Sequence, residues 1–390
     1  MTRKRNVIWL GVVSFINDTA SEIIIPLLPF FITAIGGTGF AVGLISGVGE
    51  SIAGMFKVAA GYWSDRLNKR IPFIFSGYLI AQISKILLAI ASVWPHVLIL
   101  RATERLGKGI RSAPRDSLLA GSTDKKTRGK WFGVHRAFDS GGAILGTLLA
   151  FLFYYLLKFD FTLIFLIAGG IGFFSLIPLI FVRDYSAAIP EAKKKFTLQL
   201  KGFSSPLKMF FAVATLFALA NFSYMFFVLK AKDFFGGLLS VGAPILLYTL
   251  YNISYTAMAI PAGKLSDRIG RRPVLIIGYA LFAATSLGFE FADAVWQLIA
   301  LFVLYGVCYA FVNATERAYV SDLAPEHARG TALGSYHTLV SLGALPAGLI
   351  AGLLWDVNHT YTFIYGAVMS LAAVLLFLMS QRGQRLRPTD

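Results

Sequence analysis

One stretch, Val97 to Ala120, limits what this chain can become. Its length and apolar flanks fit a membrane-spanning helix, yet it carries Arg101, Glu104, Arg105, Lys108, Arg111, Arg115 and Asp116. At about 100° per residue all seven fall within an arc of roughly 140°, with Leu98, Ile99, Ala102, Leu106 and Ile110 mostly on the other side. A charge in a bilayer is costly unless it faces a bundle interior or a watery cavity. The stretch is therefore expected to be an inner helix whose charged face looks into a cavity, with partners on neighbouring helices.

The remaining sequence supplies those neighbours. Hydrophobic residues make up 56% of the 390, well above a soluble domain, and the mean hydropathy is +0.68. Apolar runs of about 20 residues predict twelve spans, near 7–33, 41–63, 72–93, 97–120, 131–157, 162–183, 208–230, 240–263, 273–291, 296–320, 331–355 and 361–381. The first run is longer than the apolar core of a cleavable signal, so it is expected to stay as a span. Links are short except 184–207, which holds Lys193, Lys194, Lys195, Lys201, Pro190 and Pro206. The expected fold is an all-α integral membrane protein with twelve transmembrane helices in two pseudo-symmetric six-helix bundles, 1–183 and 208–390, joined by a linker at 184–207.

The net charge of +16 lies in short loops rather than in a continuous patch, so it sets topology and does not point to nucleic acid. With both termini cytoplasmic, the outside loops hold only Lys158, Lys230 and Lys232. A multi-pass protein of the cytoplasmic membrane with both ends inside is expected. Cys308 is the single cysteine, which rules out a disulfide framework.

The halves repeat. Gly61-Tyr-Trp-Ser-Asp65-Arg66-Leu-Asn-Lys69-Arg70 recurs 202 residues later as Gly263-Lys-Leu-Ser-Asp267-Arg268-Ile-Gly270-Arg271-Arg272, and Arg115 and Arg317 share that offset. Parallel repeats of this kind suit a transporter whose halves rock about a midplane site. On these residues the whole chain resembles the major facilitator superfamily, whose signature loop Gly-x-x-x-Asp-Arg-x-Gly-Arg-Arg follows the second helix of each half. Asn68 stands for the glycine in the first copy; it too tolerates a left-handed turn. Arg101-Ala-Thr-Glu104-Arg105-Leu-Gly107-Lys108-Gly109 resembles the family's fourth-helix motif Arg-x-x-Gln-Gly-x-Gly, with Gln replaced by Glu104 and Gly by Arg105. Arg105-Leu-Gly-Lys-Gly-Ile-Arg111 with Pro114-Arg115-Asp116, and Asp18 and Glu22 ahead of Pro26 and Pro29, resemble a prokaryotic subgroup without a well-defined substrate. Gly133, Gly142 and Gly146 match the first glycines of the antiporter motif, where Thr147 replaces a proline; such glycines allow close helix approach.

The resemblance implies a cytoplasmic gate from Gly61, Asp65, Arg66, Arg70, Gly263, Asp267, Arg268 and Arg272, charges that would otherwise only set topology. Arg111, Arg115, Asp116, Glu316 and Arg317 are assigned to the same gate. Asp18 and Glu22 lie one turn apart and, with Arg101 and Glu104, form the candidate proton-coupling group. They equally fit static neutralisation of Arg101 or Arg105; a metal site has less in its favour, since no histidine neighbours them in sequence. A substrate cavity is expected from Arg105, Lys108, Arg136 and Asp139 in the first half. The second half would add Asn221, Tyr224, Tyr251, Asn252, Tyr255, Tyr305, Tyr309 and Asn313, with Tyr248 on the same stripe. Tyrosine stripes also serve as packing, and His337 reads equally as a core or a proton-linked histidine. The N-terminal half carries eight basic against six acidic groups within its spans, a surplus that permits an anionic substrate.

A secondary active transporter of a small organic solute is expected, working by alternating access with protons as coupling ion, as a monomer in the lipid bilayer. Export of amphipathic or drug-like compounds is the favoured direction. An organic anion carried on the basic face of the fourth helix is the alternative. No Walker loop, His-Glu-x-x-His helix or Gly-x-Ser-x-Gly elbow is present, so no enzyme activity, metal or cofactor is expected. A sensor is a distant alternative, and a passive channel fits paired charges and repeats less well.

Overall fold

The computed structural model describes residues 4–124, 127–184 and 202–385. The described residues are helical, without strands, and form twelve spans. The first consists of α1 (Lys4–Ile24) and α2 (Leu28–Ala34). Then follow α3 (Gly39–Leu67), α4 (Ile71–Leu88), α5 (Trp94–Gly121), α6 (Arg128–Phe151, extended by a wide turn to Leu156) and α7 (Phe161–Phe174). The second half starts with α8 (Ser205–Ala220) and α9 (Tyr224–Lys232), which share one span, and continues with α10 (Leu239–Ile269), α11 (Arg271–Phe291), α12 (Val295–Leu323), α13 (Arg329–Val357) and α14 (His359–Arg385). Most of the linker expected at 184–207 falls outside the described residues. The face carrying both described chain ends is called the terminal face below, and the opposite one the distal face.

Ten spans are long and apolar enough to cross a membrane by composition alone. The other two, α5 and α10, are the ones loaded with charges and with tyrosines and amides. They can carry that polarity only where it faces inward.

Two spans are broken at corresponding depths. Pro26 and Pro29 supply no N–H, so the Glu22 and Ile25 carbonyls lose their helical partners and the first span breaks between α1 and α2. The span expected as continuous over 208–230 breaks as well, at Asn221–Ser223, without a proline. Asn221 leaves the helical region with φ −80° and ψ 69°, and Ser223 restarts the chain by capping the Met225 N–H.

The halves meet along three seams: α3 against α13, α6 against α10, and α2 against α9. The α3–α13 seam is the tightest. A methyl group on Gly43 would run into the Gly348 carbonyl, and one on Gly47 would meet the Ala344 carbonyl at 2.9 Å. Within the first half, Gly142 and Gly146 let α6 lie against the Phe15 and Thr19 carbonyls of α1. Gly133, expected to serve the same purpose, has nothing within 4 Å of its would-be Cβ. Asn68 closes α3 in the left-handed region at φ 49°.

Candidate functional site

A cavity of about 600 Å³ lies between the halves, joined by a side chamber of about 200 Å³ on the α1–α6 side. The main cavity is lined by Glu22, Arg101, Arg105, Lys108 and Arg136 from the first half and by Asn221, Tyr224, Tyr251, Asn252, Tyr255, Tyr305, Tyr309 and Asn313 from the second. Asp18, Glu104 and Asp139 line the side chamber. Every residue assigned from sequence to the cavity or to coupling thus borders one of these two spaces. Glu316, Arg317 and His337 border the main cavity as well.

Two of the cations on α5 that line the main cavity are paired. Arg101 and Glu104 form an ion pair within the helix, both buried. Arg105 Nη2 lies 3.1 Å from Glu50 Oε1 of α3. Lys108 differs: it is exposed to the cavity and, among the described residues, has no carboxylate within ion-pair distance. Neutralisation of Arg101 and Arg105 by Asp18 and Glu22, one of the readings above, is not what the structure shows. Asp18 instead accepts from the Asn17 amide at 2.8 Å, and one buried Glu22 oxygen has no hydrogen-bond donor.

Behind Asp18 the bundle core is polar. Lys85 of α4, fully buried, reaches Gln82 Oε1 at 3.0 Å and two oxygens of Asn17 at 3.4 Å. Nearer the terminal face, His135 links two helices: its Nδ1 lies 3.5 Å from Asp139 Oδ1, and its Nε2 is 3.2 Å from Ser14 Oγ. Arg115 Nη1 donates to the same serine oxygen at 3.0 Å, and Tyr78 Oη lies 3.4 Å from it. His135 carried no signal in the sequence, because Ser14 is 121 residues away and only the fold brings them together.

The second half presents tyrosine rings. Tyr251 and Tyr305 lie 4.8 Å apart by ring centre, Tyr305 and Tyr309 4.9 Å, and Tyr224 and Tyr248 4.9 Å. Tyr309 donates to Asn221 Oδ1 at 2.6 Å, holding the broken end of α8. Two cross-half hydrogen bonds close over the cavity: Tyr224 O–H to the Ile25 carbonyl at 3.0 Å, and Arg136 Nη2 to Tyr255 Oη at 2.6 Å.

The assigned gate residues behave differently from one another. Arg70 lies 3.6 Å from Asp65, donates from its backbone N–H to Asp184 at 2.8 Å, and donates from Nε to Ser117 of α5 at 3.0 Å. In the second loop Arg271, not Arg268 or Arg272, takes the acids: Asp267 at 2.6 Å and Asp322 at 3.1 Å. Arg272 turns away to the Phe377 carbonyl and Ser380. Arg66 packs over Trp63, and Gly61 lies against Ala113 while Gly263 faces open space. Arg115 pairs with its neighbour Asp116 at 3.2 Å. Two residues sit away from the latch to which they were assigned: Arg111 stacks on Tyr78 at 4.4 Å, and Glu316 accepts from Tyr279 at 2.7 Å and from Tyr336. Arg317 donates to the Asn313 carbonyl at 3.0 Å beside the cavity. These loop contacts all stay inside one half.

A further contact that joins the halves lies at the distal face and was not foreseen. Asp356, at the end of α13, accepts from Thr38 Oγ1 at 2.7 Å and from the Gly39 and Phe40 N–H groups at 2.6 and 2.9 Å. It is a helix cap supplied by the opposite half, and its partners are mainly backbone groups, which no side-chain pattern announces.

The family model for the Major Facilitator Superfamily matches residues 10–245 and 211–390. A relative described as an uncharacterized MFS-type transporter of Methanocaldococcus jannaschii is 45% identical over 377 residues, 96% of this chain and 94% of that protein. An arabinose-proton symporter of Escherichia coli is 34% identical over 120 residues, 30% of this chain and 24% of its own. The crystal structure of the nucleoside transporter NupG superimposes with a TM-score of 0.79 at 15% identity, covering 97% of this chain and 99% of that one. A bacterial homologue of the lysosomal transporter Spinster, inward-facing and occupied, gives 0.74 at 13% identity, covering 96% of each. With its repeated six-helix halves and the polar cavity between them, this chain belongs to the major facilitator superfamily of membrane transporters.

Proposed function

We propose that the protein is a secondary active transporter that moves a small organic anion by alternating access, with protons as the coupling ion. The observation that carries this reading is Lys108: a cation facing the main cavity without a carboxylate partner among the described residues, on a helix whose other cations lining that cavity, Arg101 and Arg105, are matched. An anionic group is the partner it lacks. The tyrosines and amides opposite suit the uncharged body of such a solute. Relative to amphipathic export, the direction favoured from sequence, the charge lining the first-half wall argues for the anion.

The coupling assignment rests on Glu22 and on the neighbouring acids Asp18 and Asp139 in the side chamber. The undonated Glu22 oxygen is where a proton would satisfy the group, and the Asp139–His135–Ser14 contacts lead from that chamber toward the terminal face. The proton symport in the name of the Escherichia coli relative fits the same assignment. We take 1–183 and 208–390 as the two rocking units, 184–207 as their linker, and the terminal face, with its basic loops, as cytoplasmic. Distal closure by Asp356, together with the Arg70–Asp65 and Arg271–Asp267 pairs that each stay inside one half, supports an inward-facing monomer of the cytoplasmic membrane.

A second reading, export of amphipathic compounds, has the aromatic wall in its favour. Thermal stabilisation of the purified protein across a panel of carboxylates, phosphorylated sugars, neutral sugars and lipophilic cations separates the two. Stabilisation by anions that is lost in Lys108→Gln supports the first. Stabilisation by lipophilic cations alone, unchanged in that variant, supports the second.

A further inference from the structure

The repeat that relates the two halves breaks at the packing position of Gly109. Gly109 on α5 and Phe311 on α12 lie 202 residues apart, the offset that relates Arg115 to Arg317. In the first half a Cβ on Gly109 would sit 2.8 Å from both the Ala53 carbonyl and Phe56 Cβ, so α3 and α5 touch backbone to backbone there. In the second half the close approach lies farther toward the distal face. Gly306 meets the Tyr251 carbonyl, with 2.6 Å to a would-be Cβ. Below it Phe311 stands where glycine stands in the first half, in one apolar cluster with Met258 and Leu265 of α10. Pro261 removes a hydrogen bond from α10 at the same level.

The result is a groove of about 420 Å³ beside α10, separate from the central cavity. Its deeper part is apolar, with Met258, Ile260, Pro261, Leu265 and Phe311. Its rim toward the terminal face carries Lys264 and Arg268. Ile253 and Ile260, 44% and 69% exposed, mark the side of α10 turned to the bilayer, and the groove borders Ile260. Both basic residues are exposed and, among the described residues, neither has an ion-pair partner, because Arg271 occupies Asp267. An apolar slot open to the bilayer with two free cations at its interfacial end has the order of a phospholipid: acyl chain deep, charged headgroup at the rim.

We propose that this groove binds one anionic phospholipid of the terminal-face leaflet, with its phosphate on Lys264 and Arg268 and an acyl chain against Met258, Pro261 and Phe311. Because α10 also carries Tyr251, Asn252 and Tyr255, the lipid would brace a cavity-lining helix from its outer side.

The test titrates the purified full-length protein in neutral detergent with phosphatidylglycerol, phosphatidylcholine or glycerol phosphate, and reads bound lipid by native mass spectrometry. Selective retention of phosphatidylglycerol is expected. Lys264→Gln with Arg268→Gln should weaken it roughly 30-fold, from about two interfacial charge contacts. Met258→Trp, which fills the slot and leaves both charges in place, should also reduce it. Equal binding of the two lipids, glycerol phosphate competing as well as the whole lipid, or unchanged affinity in the charge variant would each overturn the assignment. Since no transported solute enters the measurement, its outcome is independent of the proposed function.

Discussion

The Tyr224 hydroxyl of α9 donates across the two halves to the carbonyl of Ile25, just past the end of α1, at 3.0 Å. Each partner sits at a helix break: Pro29 denies the Ile25 carbonyl its donor four residues on, leaving it the Leu28 N–H at 3.3 Å, and Tyr224 opens the segment after the Asn221–Ser223 interruption. Irregular backbone at membrane depth is tolerated where it lines a cavity or is buried in protein, and here one break satisfies the other. A hydrogen bond made across the halves exists only while they are closed at this level, so it contributes to the closed state and not to the open one.

Tyr224→Phe removes that bond and keeps the ring against Tyr248. A net loss of about 1 kcal/mol is expected, which shifts the ratio of distal-closed to distal-open molecules roughly fivefold. Distance distributions between spin labels placed on the 35–38 and 358–360 turns would report it as a larger long-distance population.

Asp356→Ala acts on the same equilibrium from the rim. It removes the acceptor of the Thr38, Gly39 and Phe40 donors, and loss of a helix cap costs about 1 kcal/mol. Faster modification from the distal side of a cysteine introduced at Ser46, which lines the main cavity, is the expected result. Cys308 is buried and would not compete for the reagent.

Gly348→Leu should oppose distal closure sterically, because its side chain would enter the space held by the Gly43 carbonyl on α3. Overpacking of this kind typically costs about 1–3 kcal/mol. Here it falls on the closed state, so the variant should remain folded by circular dichroism while solvent accessibility at the distal face rises.

His135→Gln breaks the contacts between Asp139 and Ser14 and leaves the main cavity lining untouched. In proteoliposomes, accumulation driven by a pH gradient should fall at least roughly tenfold, below the range that one positioned proton-transfer group typically contributes. Solute exchange at equal pH should stay near the wild-type rate. An equal loss in both assays would assign His135 to packing instead.

Much of the fold was legible because each span had to bury its own backbone polarity, and apolar runs record that requirement directly. The charged face of α5 was legible too, since a charge inside a bilayer has few places to go. Individual pairings were less so. Arg105 chose Glu50 over Asp18 or Glu22, and Arg271 rather than Arg268 took Asp267, because one turn of helix rotation decides between neighbours. The break at Asn221 lacks the proline that betrays its counterpart. Asp356 is bonded to backbone N–H groups, which nearly every residue carries. His135 and Ser14 meet only after α1 and α6 have packed through Gly142 and Gly146.

The most direct measurement uses wild type and Glu22→Gln reconstituted in proteoliposomes and supplied with a panel of labelled carboxylates and phosphorylated sugars. The account predicts that at least one anion accumulates in wild type when a pH gradient is imposed and discharges when the gradient is collapsed. In Glu22→Gln the gradient-driven accumulation should disappear while exchange of the same anion persists. Accumulation of an anion that ignores the pH gradient, or survives intact in Glu22→Gln, would contradict it.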